Sequence, residues 1–193
     1  FWKVLLDFAG GFLYFAPLSV LPKDRTVRTF ASPHGVGRME KWKRLLREEN
    51  ILVGMQASRN FDAIRELAGL LADDDDEILD PKRFLADLIR REKQSSTGIG
   101  KGVAVPHAHE DSIQHQLLAI GISREGIEFN AIDGEPVHIV ALLATPRKHQ
   151  KQHMELLAAL SRLLQQEQVR QNLIAAENAA EVIDIFLGKK NPA

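Results

Sequence analysis

Two apolar runs constrain this chain most: Leu117 to Ile122, and Val137 to Leu143 between Gly134-Glu135-Pro136 and Thr145-Pro146. Short apolar runs bounded by turn residues read as strands. Ile51-Leu52-Val53, before Gly54, is a further β-like run, and Val103-Ala104-Val105 is another, stopped by Pro106. Around these runs the apolar period becomes helical. Phe61, Ile64, Leu67 and Leu71 follow Ser58, whose hydroxyl suits a helix cap. Phe84, Leu85, Leu88 and Ile89 follow Asp80-Pro81, an N-cap with proline at the first helical position, and this helix should end near Lys93. A helix from His153 to Leu164 would bury Leu156, Leu157, Leu160, Leu163 and Leu164. Helical patterns continue through Val169–Ala176 and Glu181–Phe186, with Gly188 as the stop. Helices flanking clustered strands predict a single α/β layered domain over residues 41–193.

Residues 1–40 read as an N-terminal extension of different material. Residues 1–47 hold nine Lys/Arg and three Asp/Glu, a net charge of +6, and the rest of the chain carries −7. Eight of the twelve aromatic residues lie before Arg44. Val4 to Pro22 is largely apolar, but Asp7, Gly10-Gly11 and Pro17 interrupt it, so it reads poorly as a membrane span or a signal peptide. Met39 is the first methionine, and a start there would leave about one domain.

Composition narrows the chemistry. With no cysteine, disulfides, thiol nucleophiles, zinc ribbons and iron–sulfur clusters are excluded, which fits a reducing, cytoplasmic setting. A formal net charge of −1 offers no basic field for nucleic acid. The run Asp73–Asp76 reads as a solvated loop, because adjacent carboxylates repel one another.

The informative stretch runs from Arg91-Glu92 through Thr97-Gly98-Ile99-Gly100-Lys101-Gly102 to Val105-Pro106-His107-Ala108-His109. Closely spaced glycines let backbone N–H groups converge on an anion. The loop is no Walker A motif, since Gly102 stands after Lys101 where Ser or Thr would hold magnesium. Nor is it a dinucleotide fingerprint, because the order here is helix, glycines, strand. His107 should sit at a strand end, and His153 at a helix N-terminus, where the macrodipole favours a neutral imidazole beside a bound anion. Two imidazoles, an arginine and a glycine loop suit a phosphoryl group carried on a histidine nitrogen, a chemistry that needs no metal.

Arg91-Glu92, Thr97-Gly98-Ile99-Gly100, Gly102-Val103-Ala104-Val105-Pro106-His107, Asp133-Gly134-x-Pro136-Val137 and His153-x-x-Leu156-Leu157-Ala158 resemble the type 2 IIA domain of the phosphoenolpyruvate-dependent phosphotransferase system (PTS). That is the fructose/mannitol class, with its nitrogen-regulatory relatives. The likeness runs from about Leu45 to Phe186, with Met154 where the family usually has leucine. It implies a three-layer α/β domain with a mixed sheet between helices. It implies His107 as the phosphorylated residue, His153 as a second active-site histidine and Arg91 as a phosphoryl contact. Thr97, Gly98, Gly100 and Gly102 would line the pocket. The implied partners are an HPr-type phosphocarrier and a IIB component, with a membrane reached only through a separate permease. No cofactor is implied. A regulatory IIA protein, switched by its phosphorylation state, is the alternative.

The spacings His107-x-His109 and His149-x3-His153 would also suit zinc, making a zinc-dependent hydrolase the rival enzyme class. No spacing marks a further ligand or a general base. His109 could neighbour the phosphoryl site, His115 and His149 read as surface residues, and His138 alternates with Val137 and Ile139 on a strand.

Overall fold

The computed structural model describes residues 3–8, 12–17, 42–72, 78–111 and 113–189. The chain divides into two compact units, Phe1–His34 and Gly35–Ala193. In the first, β1 (Lys3–Phe8) and β2 (Phe12–Pro17) pair antiparallel, with Lys3 opposite Pro17 and Phe8 opposite Phe12. Among the described residues no helix is long and apolar enough to cross a membrane. The acidic run Asp73–Asp76 lies outside the described residues.

The second unit is built on a mixed six-stranded sheet of β3 (Ile51–Val53), β4 (Gly98–Gly100), β5 (Val103–Ala104), β6 (His107–Glu110), β7 (Leu117–Ile127) and β8 (Val137–Pro146). The order is β3-β7-β8-β5-β4, and β6 lies beside β8. The two apolar runs are the central antiparallel pair, with Ile120 opposite Ala141. They are buried on both faces, as a sheet between two helical layers requires.

One layer contains α1 (Asn60–Ala72) and α2 (Pro81–Gln94), which bury Ile64, Leu67, Leu71, Phe84 and Leu88 against Ala119, Val140 and Leu142. The other contains α3 (Gln150–Leu164), α4 (Glu167–Ala175) and α5 (Ala179–Phe186), packed with Trp42 on Ile120, Ile122, Ile139 and Leu143. The α/β layered architecture expected from the sequence is therefore the observed one.

Local details differ from expectation. Asp80 caps α2 by accepting from the Arg83 N–H at 3.0 Å, as predicted. Ser58 does not cap α1. The Asn60 side chain accepts from the Phe61 N–H at 2.8 Å, and the Ser58 carbonyl is taken by the Glu128 N–H. Helix α3 starts at Gln150, not His153, because its first three residues are polar and exposed and leave no trace in an apolar period.

Gly98–Gly100 is a strand, antiparallel to β5, where a loop was expected. Nor does Pro106 end the run begun at Val103. Val103 and Ala104 lie opposite Ile139 and Val140, and His107 and Ala108 lie opposite Leu143 and Ala144, so β5 and β6 follow β8 in one constant register. Proline lacks only the N–H. Its carbonyl still accepts from the Leu143 N–H at 2.8 Å, so the interruption is local.

Candidate functional site

Alternation along β6 sends His107 and His109 to one face and Ala108 and Glu110 to the other. Ala108 packs in the α1–α2 core, and Glu110 is fully buried beside Asp87. A hydrogen bond with Glu110 and burial raise the Asp87 carboxyl above its ordinary range. The histidine face looks the other way, toward α3.

The interruption at Pro106 decides how His107 is held. The Val105 N–H bonds back to the Thr97 carbonyl at 3.0 Å. The Val105 carbonyl lies 2.8 Å from His107 Nδ1. A carbonyl oxygen only accepts, so Nδ1 carries the proton and donates it, leaving Nε2 with a bare lone pair. Burial pushes the His107 imidazole down to about 4, helped by the Arg91 charge and His109, while the Val105 bond works the other way. At neutral pH this nitrogen is a free base.

His153 approaches from the first turn of α3 and is buried. Its ring centroid lies 5.4 Å from that of His107 and 4.1 Å from that of His109. Its Nδ1 is 2.9 Å from the Thr145 Oγ1, and the Gln116 amide donates to that same oxygen at 3.2 Å. Desolvation drives His153 down to about 3, with His109, His107 and Arg91 adding to the effect. His109 is lowered too, by burial and then by Arg147. Among the described residues its Nδ1 is buried without a hydrogen-bond partner.

Arg91 is half-buried near the end of α2, where its Nη1 donates to the Ser95 carbonyl at 3.0 Å. Its charge acts on both His107 and His153, so the structure brings these three together. Its neighbour Glu92 points inward. The Glu92 carboxylate accepts from the Thr97 hydroxyl at 2.6 Å and from the Thr97 N–H at 3.1 Å. Thr97 is thus pinned to α2, and through its carbonyl it pins Val105.

The three glycines are placed against protein atoms. A Cβ on Gly98 would lie 2.7 Å from the Ala131 Cα, and one on Gly100 would lie 2.9 Å from the Asp133 carboxylate. Gly102, at φ +73°, faces His138. The N–H of Lys101, at the hairpin turn, donates to Asp133 at 2.7 Å. Gly98 and Gly100 allow the hairpin to dock closely on the Ala131–Asp133 turn.

His138 bonds the Ser123 carbonyl at 2.9 Å on the distant end of β8, His115 is exposed, and His149 precedes α3 half-buried. Among the described residues, no group of three His, Asp or Glu is arranged to hold a metal ion. Thr145 and Gln116 escaped the sequence reading. Thr145 reads there as the end of a strand; the available signal was a single hydroxyl closing an apolar run just before a histidine-bearing segment.

The family described as "Phosphoenolpyruvate-dependent sugar phosphotransferase system, EIIA 2" matches residues 44–189. This chain belongs to that family. The fructose-specific EIIABC component of Bacillus subtilis is 34% identical to this EIIA chain over 142 residues, covering 74% of the chain and 22% of that longer protein. The crystal structure of the nitrogen regulatory protein IIA-Ntr from Neisseria meningitidis superposes with a TM-score of 0.69 at 29% identity, covering 74% of this chain and 97% of its own. IIA mannitol in its complex with phosphorylated IIB mannitol, from Escherichia coli, shares the fold with a TM-score of 0.65 at 23% identity, covering 74% and 97%. The family thus has both sugar-specific and nitrogen-regulatory members on this architecture.

Proposed function

We propose that this EIIA chain carries a phosphoryl group on His107 Nε2, accepting it from a phosphorylated HPr-type carrier and passing it to a IIB component for sugar uptake. The observation that carries this reading is the His107 Nδ1–H donating to the Val105 carbonyl, which leaves Nε2 bare beside Arg91 and His153. In acceptance, the Nε2 lone pair forms the new P–N bond in line as the donor's P–N bond breaks, and the donor imidazole keeps that electron pair. Positive charge growing on the His107 ring is solvated by the Val105 carbonyl. Arg91 neutralises the equatorial oxygens, His153 donates to one of them, and the Thr97–Gly102 hairpin shapes the wall. A neutral carbonyl stabilises the phosphoimidazole less than a carboxylate would, which keeps the group transferable. The chain works in the cytoplasm in this reading and meets the membrane only through a separate permease.

A second reading, a regulatory IIA protein, is supported by the likeness to IIA-Ntr over nearly all of that protein's length. Phosphorylation would then add up to two negative charges at the His107 surface and switch a protein contact.

The test is incubation with phosphoenolpyruvate, enzyme I and HPr, comparing wild type with His107→Ala. Wild type should take an acid-labile, base-stable phosphate and the variant none. Label on both proteins, or on neither, would overturn the carrier assignment. Onward transfer to a fructose-type IIB would favour the sugar reading; phosphorylation without transfer, with a target released or captured, would favour the regulatory one.

A further inference from the structure

The two histidines have different partners at the same ring nitrogen. His107 Nδ1 meets a carbonyl, which can only accept, whereas His153 Nδ1 meets the Thr145 hydroxyl, which can do either. What the hydroxyl does follows from its other partner together with its own buried proton. The Gln116 amide nitrogen is a donor and cannot accept, and it occupies one lone pair of Thr145 Oγ1. Thr145 is fully buried, so its single hydroxyl proton needs an acceptor inside the protein. Among the described residues the acceptor within reach is His153 Nδ1.

We infer that Gln116 and Thr145 are positioning residues: the chain Gln116 N–H to Thr145 Oγ1, then Thr145 O–H to His153 Nδ1, fixes His153 with its proton on Nε2. The pair is then complementary. Both rings are neutral, yet His107 presents a bare Nε2 as nucleophile and His153 presents an Nε2–H as donor. In the other tautomer, His153 would present a lone pair to phosphoryl oxygens and repel them. The relay holds His153 as a neutral donor because an imidazolium Nδ1–H would take the hydroxyl's second lone pair and leave the buried Thr145 proton without an acceptor. Burial and the neighbouring Arg91, His107 and His109 oppose that charge as well. Thr145 lies opposite His109 in the β6–β8 register, and Gln116 immediately precedes β7, so adjacent strands of the central sheet supply the relay.

Only its consequence for transfer rests on the carrier reading; the tautomer itself does not. The experiment records histidine ring nitrogens in long-range proton–nitrogen spectra of the full chain labelled with 15N-histidine, with His153 assigned by loss of its signals in His153→Gln. A protonated and a bare ring nitrogen resonate far apart, so the tautomer is read directly. Wild type and Thr145→Ser should both show a bare Nδ1 on His153. Thr145→Val, which keeps the shape and removes the hydroxyl, should move the ring toward a mixture of tautomers. It should also slow transfer from phosphorylated His107 to a IIB acceptor roughly tenfold, the cost of one misdirected hydrogen bond to a charged group. Gln116→Leu, at a half-buried position, removes the donor that orients the hydroxyl proton toward His153 and should shift the tautomer in the same direction even if Thr145→Val folds poorly. A proton on Nδ1 in wild type, or a tautomer unmoved by both substitutions, would overturn the relay. A bare Nδ1 in a chain that takes no phosphate from HPr would support the relay while removing the carrier function.

Discussion

His107 is held by main-chain atoms and His153 by side chains, and this difference governs how each half of the site can fail. On the strand side, the His107 Nδ1 proton goes to the Val105 carbonyl, itself fixed through Thr97 to the buried Glu92. No single truncation removes a carbonyl, so this half changes only by replacing His107 or by displacing the hairpin. On the helix side, the orientation of the His153 ring rests on Thr145 and Gln116, each of which one substitution can delete. His107 is therefore the more sturdily held of the two. The setting of His153 is left to replaceable groups.

The sharpest way to test this asymmetry is to remove each ring in turn. His107→Ala should abolish phosphorylation altogether, whereas His153→Ala should still accept phosphate and lose more in onward transfer than in acceptance. Single-turnover rates for the two steps measure this, and equal losses in both steps would erase the distinction. The charge of Arg91 acts on both rings. Arg91→Gln should cost acceptance and transfer alike, by about 10²–10³-fold for loss of one charged oxyanion contact. Arg91→Lys should recover only part of that, because it keeps the charge without the planar fork.

A smaller effect comes from moving the strand side as a unit. Gly98→Ala drives a Cβ to 2.7 Å from the Ala131 Cα, a backbone atom that cannot swing away. It should destabilise the fold by about 1–3 kcal/mol, read from urea midpoints, and lengthen the His107–Val105 contact, seen as a shifted Nδ1–H resonance. The smallest effect at neutral pH grows with acid. The native pKa of His153 lies near 3 and that of His107 near 4, both below the ordinary 6.5. The unfolded chain therefore binds protons first, and stability present above about pH 6.5 is lost progressively as pH falls toward those native values. Urea midpoints between about pH 7.5 and about pH 5 should fall with acid, and His153→Gln should flatten the slope.

Much of this could be read from the residues. The apolar runs Leu117–Ile122 and Val137–Leu143 are strands because burial on both faces leaves no polar alternation to confuse them. Asp80-Pro81 opens a helix because its capping chemistry is local. The polar turn Gln150-Lys151-Gln152 was invisible for the converse reason: exposed helix carries no apolar period. Strand β6 is not legible in the sequence because a proline after three residues of a β-segment signals an end, and only the ladder on β8 shows that the register continues.

The sequence by itself determined the layered α/β fold, the split in charge and aromatics near residue 47, and the short list of groups able to carry chemistry, because these depend on period, composition and local spacing. Tertiary structure decided which nitrogen of each histidine is bare. That choice depends on one partner at each Nδ1: for His107 an accepting carbonyl turned out of the ladder beside Pro106, and for His153 a donating hydroxyl on β8. Spacing along the chain brings a histidine near a partner; only the packed sheet and helix determine whether that partner takes a proton or gives one.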